Sequence, residues 1–461
     1  MKTLLIFPPL YENSLFTIRA PQPPLGIAYL SAALKKEGFE SKAVDMSGYT
    51  LRMIDDVIRK EEPDIVGISC FTDSRKGAFE VIKLTKEINP AITVIAGGPH
   101  ASFMYEQMLS NFPIDFVVIG EGERTIVELV KCLKENGDPT QIKGLAFEKD
   151  QRIIKTGRRE PITDLDSIQF PDISSFDFND YINIPGYDQD GYYTKKYGGP
   201  IINHTMITSR GCTNACQFCS TSAFWGRFWR QRSVRNIIDE MEVLVSKGAK
   251  FITFLDDTFT VNQKRTQELC EEIIKRKLDV DWVCETRVNH VNAEMLAVMK
   301  KAGCSLILYG LESGSDKILK QVGKNIELEQ ARSALVMTRE ARLRCGLFLM
   351  VGNPGESCQT IFETIKFLKD VPFTFTMTAL ARVYPNTELY QIAKQRGIVD
   401  DAYWLQDAFA PYYTGEKSLL RLRMYQMLLT SYLESKKGIP ALLKFLSKKV
   451  VRNPFKLLST K

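Results

Sequence analysis

The chain has 461 residues, 44% hydrophobic and 25% charged, with a formal net charge of +6. That length exceeds what one hydrophobic core serves, so two or three domains are expected. The charge is too small and too dispersed to call for nucleic acid, and no run reaches the ~18 apolar residues of a spanning helix.

The opening MKTLLIFPPLYEN is apolar, but Pro8 and Pro9 end it and no cleavage-like segment follows. No signal peptide is read, and a cytoplasmic location is expected. Ten cysteines in such a chain do not point to disulfides. Cys70, Cys132, Cys270, Cys284, Cys304, Cys345 and Cys358 are isolated in sequence and read as buried small hydrophobes.

The first ~130 residues alternate β-like runs with amphipathic stretches, the pattern of a doubly wound, Rossmann-like α/β domain. Strands are expected at 2–7 (KTLLIF), 41–45, 65–69 (IVGIS), 93–96 and 116–119, with helices at 25–37, 51–61, 78–88 and 125–135. Most of these strands run into loops of Gly, Pro or small polar residues, among them Gly97-Gly98-Pro99-His100 and Gly120-Glu121-Gly122-Glu123. In open parallel sheets ligands sit at such carboxyl-end loops, and glycine lets the backbone approach a flat ligand. An ordinary doubly wound domain with normal turns fits the pattern equally well. Residues 141–200 are irregular and read as a linker packed between domains.

A second βα series follows. Strands are expected at 205–208, 251–255, 282–285, 306–309, 346–350 and 375–379. Polar residues gather at their ends: Asp256 and Asp257, Arg287, Glu312 and Ser313, and the turn from Gly352 to Gly355. This is the pattern of a partial (β/α)6 TIM-type barrel with its site at the C-terminal face. Residues 401–461 read as a mainly helical region, with aromatics at Tyr403, Trp404, Tyr412 and Tyr413 and a helix at 419–434. The basic, apolar tail GIPALLKFLSKKVVRNPFKLLSTK reads as a helical cap or as a peripheral membrane contact.

Three cysteines are clustered on one loop, TSRGCTNACQFCST, at Cys212, Cys216 and Cys219. Three thiolates at this spacing suit three corners of a cubic iron–sulfur cluster and leave one iron open. Structural zinc takes four ligands from paired short motifs, but no second pair follows and His204 precedes the strand. The loop resembles the Cys-x3-Cys-x2-Cys motif of the radical S-adenosylmethionine superfamily, with the aromatic Phe218 before the last cysteine. The resemblance implies a [4Fe–4S] cluster that cleaves S-adenosylmethionine. It further implies adenine on the backbone of Phe218 and on the turn at Gly352. Asp256 and Asp257 would then meet the methionine amine, Arg287 the carboxylate, and Glu312 and Ser313 the ribose or the amine.

Joined to such a barrel, the N-terminal domain resembles the cobalamin-binding domain of class B radical enzymes. Pro8-Pro9 after strand one, the 22–26 segment, Gly97-Gly98-Pro99-His100 and Gly120-Glu121 carry that likeness. It covers nearly the whole chain to ~400. The resemblance implies cobalamin against Pro9, Ser69, Thr72, Gly97, Gly98, Gly120 and Glu121, with His100 at the corrin edge or tail and the 70–74 loop at the lower face. The Asp-x-His-x-x-Gly motif of many cobalamin domains is absent, which implies cobalt without a protein imidazole.

The domains expected are a cobalamin-binding domain at 1–140, a linker at 141–200, a radical barrel at 201–400 and a helical region at 401–461. The expected reaction is methylation of an unactivated carbon through a 5′-deoxyadenosyl radical and methylcobalamin. An oxidative cyclase of the anaerobic magnesium-protoporphyrin ester type and a cobalamin- or redox-sensing binding protein remain open. Expected partners are a small-molecule or lipid-like substrate and an electron donor such as a flavodoxin or ferredoxin.

Overall fold

A computed structural model describes residues 1–11, 17–181, 187–199 and 201–435. The basic tail at 438–461 lies outside the described residues. In the first domain the elements are β1 (Lys2–Phe7), β2 (Leu10–Tyr11), β3 (Thr17–Ile18), α1 (Leu25–Lys36), β4 (Glu40–Asp45), α2 (Leu51–Glu61), β5 (Ile65–Ser69) and α3 (Arg75–Ile88). Next come β6 (Thr93–Gly97), α4 (Pro99–Phe103), α5 (Tyr105–Asn111), β7 (Phe116–Val118), α6 (Glu123–Lys134), β8 (Leu145–Lys149) and β9 (Arg152–Lys155).

The main sheet runs β4-β1-β5-β6-β7-β8-β9. Its first five strands are parallel, and β8 and β9 join antiparallel. Alternation along the strands fills both faces. Leu4, Ile6, Val66, Ile68 and Val94 pack with Ile54, Ile58 and Phe79 of α2 and α3, whereas Leu5, Ile65 and Ile95 pack with Ile27, Leu34, Ile126 and Leu129 of α1 and α6. Burial on both faces is why these strands read as near-continuous apolar runs.

The β8–β9 hairpin falls in the stretch expected to be irregular linker. Its two-residue turn, Asp150-Gln151, has φ of +51° and +59°. That is the geometry of a type I′ turn, made without the Asn-Gly or Asp-Gly that signals one.

The remaining elements are α7 (Tyr192–Tyr197), β10 (His204–Met206), β11 (Ser209–Arg210), α8 (Ser220–Trp225), β12 (Arg230–Gln231), α9 (Val234–Ser246), β13 (Phe251–Phe254), α10 (Gln263–Lys275), β14 (Asp281–Thr286) and α11 (Ala293–Lys301). Then follow β15 (Cys304–Glu312), α12 (Asp316–Gln321), α13 (Leu328–Glu340), β16 (Arg344–Val351), α14 (Cys358–Lys369), β17 (Phe375–Leu380), α15 (Glu388–Gln395) and α16 (Leu419–Ser435). Six parallel strands lie in the order β10-β13-β14-β15-β16-β17, the arrangement of a partial barrel. Phe254, Trp282, Ile307 and Tyr309 face the helices; Phe251, Val283, Leu306, Leu308 and Phe375 face the other way.

Tyr187 and Tyr193 complete that second face. The Tyr193 hydroxyl is 2.7 Å from Ser305 Oγ, and Lys196 and Tyr197 both bind Asp281. These partners sit at the starts of β15 and β14, so α7 covers the N-terminal end of the barrel. The tyrosines of this stretch therefore pack against the core and leave the carboxyl-end loops to the site. Of the isolated cysteines, Cys358 is exposed and Cys132 half-buried; the others are buried as expected.

Candidate functional site

The carboxyl ends of the two sheets share one cavity of about 540 Å³. Ser69, Thr72, Gly97, Gly98, Gly120 and Glu121 line it from the first sheet. Ser220, Thr221, Phe224 and Trp225 of α8, with Asp257 and Tyr384, line it from the second. Gly98 has φ +93°, and a Cβ there would stand 3.0 Å from the Cys70 carbonyl oxygen. Gly120 has φ +80°, with open space where a Cβ would stand. Both strand ends therefore present bare backbone to the cavity.

Pro9 and His100 are not among the cavity-lining residues. Pro9 is buried against α3, where a Cβ on Gly77 would lie 2.2 Å from the Pro9 carbonyl oxygen. His100 is fully buried, with Nδ1 3.2 Å from Thr72 Oγ1 and its ring edge-on to Trp404. Burial, then the Arg75 charge, push its pKa down to about 3, so the ring is neutral. His100 thus packs between Thr72 and Trp404, outside the residues that line the cavity. Glu121 reaches the cavity wall, but both its oxygens are taken: Oε1 by Arg210 at 2.7 Å, and Oε2 by Arg230 at 2.7 Å and the Ile162 N–H at 2.8 Å.

The cysteine loop is closed at its neck by the antiparallel pair β11–β12, Arg210 opposite Arg230. Gly211 follows with φ +89°, its α-carbon facing the Phe228 carbonyl. The Gln217 N–H donates to Val322 O at 3.0 Å, and the Leu389 N–H donates to Gln217 O at 2.9 Å. The loop is thus fastened to the end of α12 and the start of α15, and the Phe218 ring packs on the cluster around Tyr390.

Cys216 is buried, whereas Cys212 and Cys219 are half-buried. Arg287 Nη1 is 3.8 Å from Cys216 Sγ. Thr258 Oγ1 and Asn214 Nδ2 lie 3.6 and 3.5 Å from Cys212 Sγ. Burial pushes the Cys216 thiol up, while Lys324 and Arg287 pull it back. Among the described residues no three His, Cys, Asp or Glu converge as the ligands of a single ion do. A cubic cluster does not ask for that, since each corner iron takes one thiolate.

The strand-end residues separate into two groups. Asp256 is buried and saturated: Oδ1 accepts from the Thr208 N–H at 2.7 Å and Oδ2 from the Thr208 and Ser209 hydroxyls. It organises the strand leading to the cysteine loop, and it is not among the residues that line the cavity. Asp257 faces the cavity and accepts from Thr221 Oγ1 at 2.8 Å and the Gly211 N–H at 3.2 Å. Ser313 is turned toward α14, with Oγ 3.3 Å from Thr364 Oγ1. At Gly352, φ +96°, the N–H donates to Glu356 at 2.7 Å and Leu422 of α16 covers the α-carbon.

Arg287, Glu312 and Lys324 come together beside Cys216. Arg287 donates to the Lys324 carbonyl, and Lys324 Nζ is 2.8 Å from Glu312 Oε1. Glu312 sits at φ +68° where the β15–β16 register shifts. A left-handed non-glycine residue at a bulge is the kind of strain that surrounding structure must hold in place. Lys324 lies outside the strand ends, on the turn after α12, which is why sequence pattern does not reveal it. Glu285 is missed for another reason: it lies within a strand. Burial, then Asp257 and Glu312, raise its pKa to about 7. Burial likewise raises Glu356 to about 7, against the backbone N–H groups of Gly352 and Asn353.

Residues 15–130 match the B12 binding domain family and residues 206–368 the radical SAM superfamily. An uncharacterized methyltransferase of Pyrococcus horikoshii is 34% identical over 408 residues, which is 88% of this chain and 85% of that protein. The chain belongs to the cobalamin-binding radical S-adenosylmethionine enzymes. The anaerobic magnesium-protoporphyrin IX monomethyl ester cyclase of Rubrivivax gelatinosus is 31% identical over 403 residues, 85% of this enzyme and 70% of the cyclase. In fold the enzyme is similar to the radical S-adenosylmethionine methyltransferase TsrM from Kitasatospora setae, at TM-score 0.69 and 20% identity, covering 86% and 76% of the two chains. It is also similar to the cobalamin-dependent radical enzyme OxsB, at TM-score 0.67 and 21% identity, covering 92% and 58%.

The enzyme's cofactors are accordingly a [4Fe–4S] cluster, S-adenosylmethionine and cobalamin. The donor set fits them: three thiols on one fastened loop, cations beside the buried thiol, and bare strand ends on a mainly apolar cavity. Among the described residues no helix is long and apolar enough to cross a membrane.

Proposed function

We propose that the enzyme is a methyltransferase acting on an unactivated carbon. One observation carries the reading: a single cavity runs from the glycine loops of the first sheet to α8 and Asp257 beside the cysteine loop. When bound, the cofactors supply a 5′-deoxyadenosyl radical and a transferable methyl group.

In this reading residues 1–140 serve cobalamin and residues 201–400 the radical chemistry. Cys212, Cys216 and Cys219 hold the cluster. Asp257 receives the methionine ammonium of S-adenosylmethionine, since of the neighbours Asp256 and Asp257 it is the one that lines the cavity. Arg287 takes the carboxylate, Glu312 a ribose hydroxyl, and the backbone of Phe218 the adenine. Ser69, Thr72, Gly97, Gly98 and Gly120 border the corrin. Leu5, Ile27, Ile95, Val118 and Phe224 keep the cavity wall apolar, so little water is held where a carbon radical forms. A flat or lipid-like substrate suits such walls, and a flavodoxin or ferredoxin suits the need for one electron.

The test is anaerobic incubation of reduced protein with methyl-labelled S-adenosylmethionine, cobalamin and cell extract. Labelled product together with 5′-deoxyadenosine is expected. Protein with an intact cluster that forms no 5′-deoxyadenosine would overturn the reading. Replacing Cys212, Cys216 and Cys219 together by alanine is expected to abolish bound iron and sulfide. Kinship with the Rubrivivax cyclase favours oxidative ring closure as the second reading. A product that gains no methyl label and loses hydrogen would select it.

A further inference from the structure

The loop after β7 and the neck of the cysteine loop meet in a buried charge cluster. Glu121 and Glu123 come from the first sheet, Arg210 and Arg230 from the second domain. All four side chains are at most 11% exposed. Arg210 and Arg230 are the directly paired residues of β11 and β12, and one carboxylate, Glu121, bridges them with an oxygen to each. Glu123 takes the other arm of Arg210. Both guanidinium groups lie over the Trp225 ring, at 5.6 and 5.5 Å, and Trp225 lines the cavity.

Covalent position gives the cluster its meaning. Arg210 is separated from Cys212 by Gly211 alone, and Glu121 is flanked by Gly120 and Gly122, whose backbones also line the cavity. Burial works against the Arg210 charge, and Glu123 and Glu121 more than offset it; the same contact holds Glu123 ionised against its own burial. Two cations and two anions thus neutralise one another across a domain boundary. A junction of this kind tolerates little displacement, because moving either side leaves a buried charge unpaired.

We propose that Glu121, bridging Arg210 and Arg230, is a positioning residue that fixes the separation and angle between the cysteine loop and the cobalamin-binding sheet. The inference rests on the cofactor placement given under Proposed function. Glu121 acts through the loop neck rather than on a cofactor, both its oxygens being engaged.

Cob(II)alamin and a reduced [4Fe–4S] cluster each carry an unpaired spin, so pulsed electron paramagnetic resonance on the loaded full-length enzyme reads the distance between them. The parent is expected to give one narrow distance. Glu121→Gln, which keeps shape and removes charge, is expected to lose it for a broad distribution, with iron and cobalamin content retained. Glu121→Asp is expected to recover part of the narrow component. Arg230→Lys, which keeps the charge but removes the guanidinium contact to Glu121 Oε2, is expected to broaden the distribution as well and stands in if Glu121→Gln does not fold. A narrow parent distance that persists in Glu121→Gln or Arg230→Lys would overturn the inference, as would a parent distribution already broad. Failure of the parent to bind both cofactors would instead sink the functional reading.

Discussion

Gly211 shows how much one residue decides at the entrance to the cysteine loop. Its φ is +89°, and an added Cβ would lie 2.1 Å from the Phe228 carbonyl oxygen. Gly211→Ala therefore combines left-handed strain with a backbone clash and is expected to cost roughly 3 kcal/mol. Reduced thermal stability and reduced iron content of the purified variant are the measurements; a variant equal to the parent in both would contradict the account. Glu285 makes a pH prediction. Its folded pKa of about 7 lies above the ordinary value of 4.5, so the folded state holds the proton more tightly than the unfolded one. The stability this contributes is complete below about pH 4.5 and lost as pH rises through about 7. Glu285→Gln is expected to flatten that decline and to stabilise the cofactor-free protein above pH 7 by roughly 3 kcal/mol. Thermal unfolding across that range would show a parallel decline in parent and variant if the reasoning is wrong.

At the scale of elements, α7 explains how an irregular stretch becomes part of the barrel. Tyr193 is fully buried, edge-on to Phe251 at 5.0 Å, and Arg344 lies 4.7 Å from its ring. Removing that ring by Tyr193→Ala is expected to cost roughly 3–5 kcal/mol, as for other buried aromatics. Because α7 covers the N-terminal end, the loss is expected in melting temperature while cluster spectra stay those of the parent. Altered spectra at unchanged stability would place the helix at the site instead. The β8–β9 hairpin is the complementary case. It adds two strands to the first sheet, and through Ile162, next along the chain, the same region meets Arg230 at the domain junction.

Across the whole molecule, the two sheets are joined on two sides of the cavity. One is the Glu121–Arg210–Arg230 junction; the other is Arg75, which donates to the carbonyl oxygens of Trp404, Gln406 and Ala408. Arg75 is buried and lies over the Trp404 ring at 5.4 Å. It therefore ties the segment after α15 to the start of α3, next to the cavity-lining loop at Thr72 and Asp73. Arg75→Ala leaves those carbonyls without their donor and is expected to raise hydrogen–deuterium exchange through 401–413, with little change in β1 or β5. Uniform exchange across both regions would show that the arginine does not hold this contact.

Much of this was legible in the residues themselves. Strand and helix periodicity located the parallel strands of both sheets, because burial on both faces leaves unbroken apolar runs such as IVGIS at Ile65–Ser69. The cysteine loop was legible because cluster chemistry fixes the spacing of Cys212, Cys216 and Cys219 on a single loop. What the chain alone left open was the partner of each polar side chain. Asp256 and Asp257 are neighbours in sequence, yet one is saturated by Thr208 and Ser209 and the other faces the cavity. His100 and Glu121 stand in loops suited to a ligand, and only the fold shows that they also contact Trp404 and the two arginines, all remote in sequence. Composition and local pattern determined the parallel strands, the longer helices and the cysteine loop, but not the β8–β9 hairpin or α7, which lie in the stretch read as linker. Only the packing of one sheet's carboxyl end against the other decides which charges neutralise each other and which remain to meet a cofactor, since that depends on distances between groups far apart along the chain.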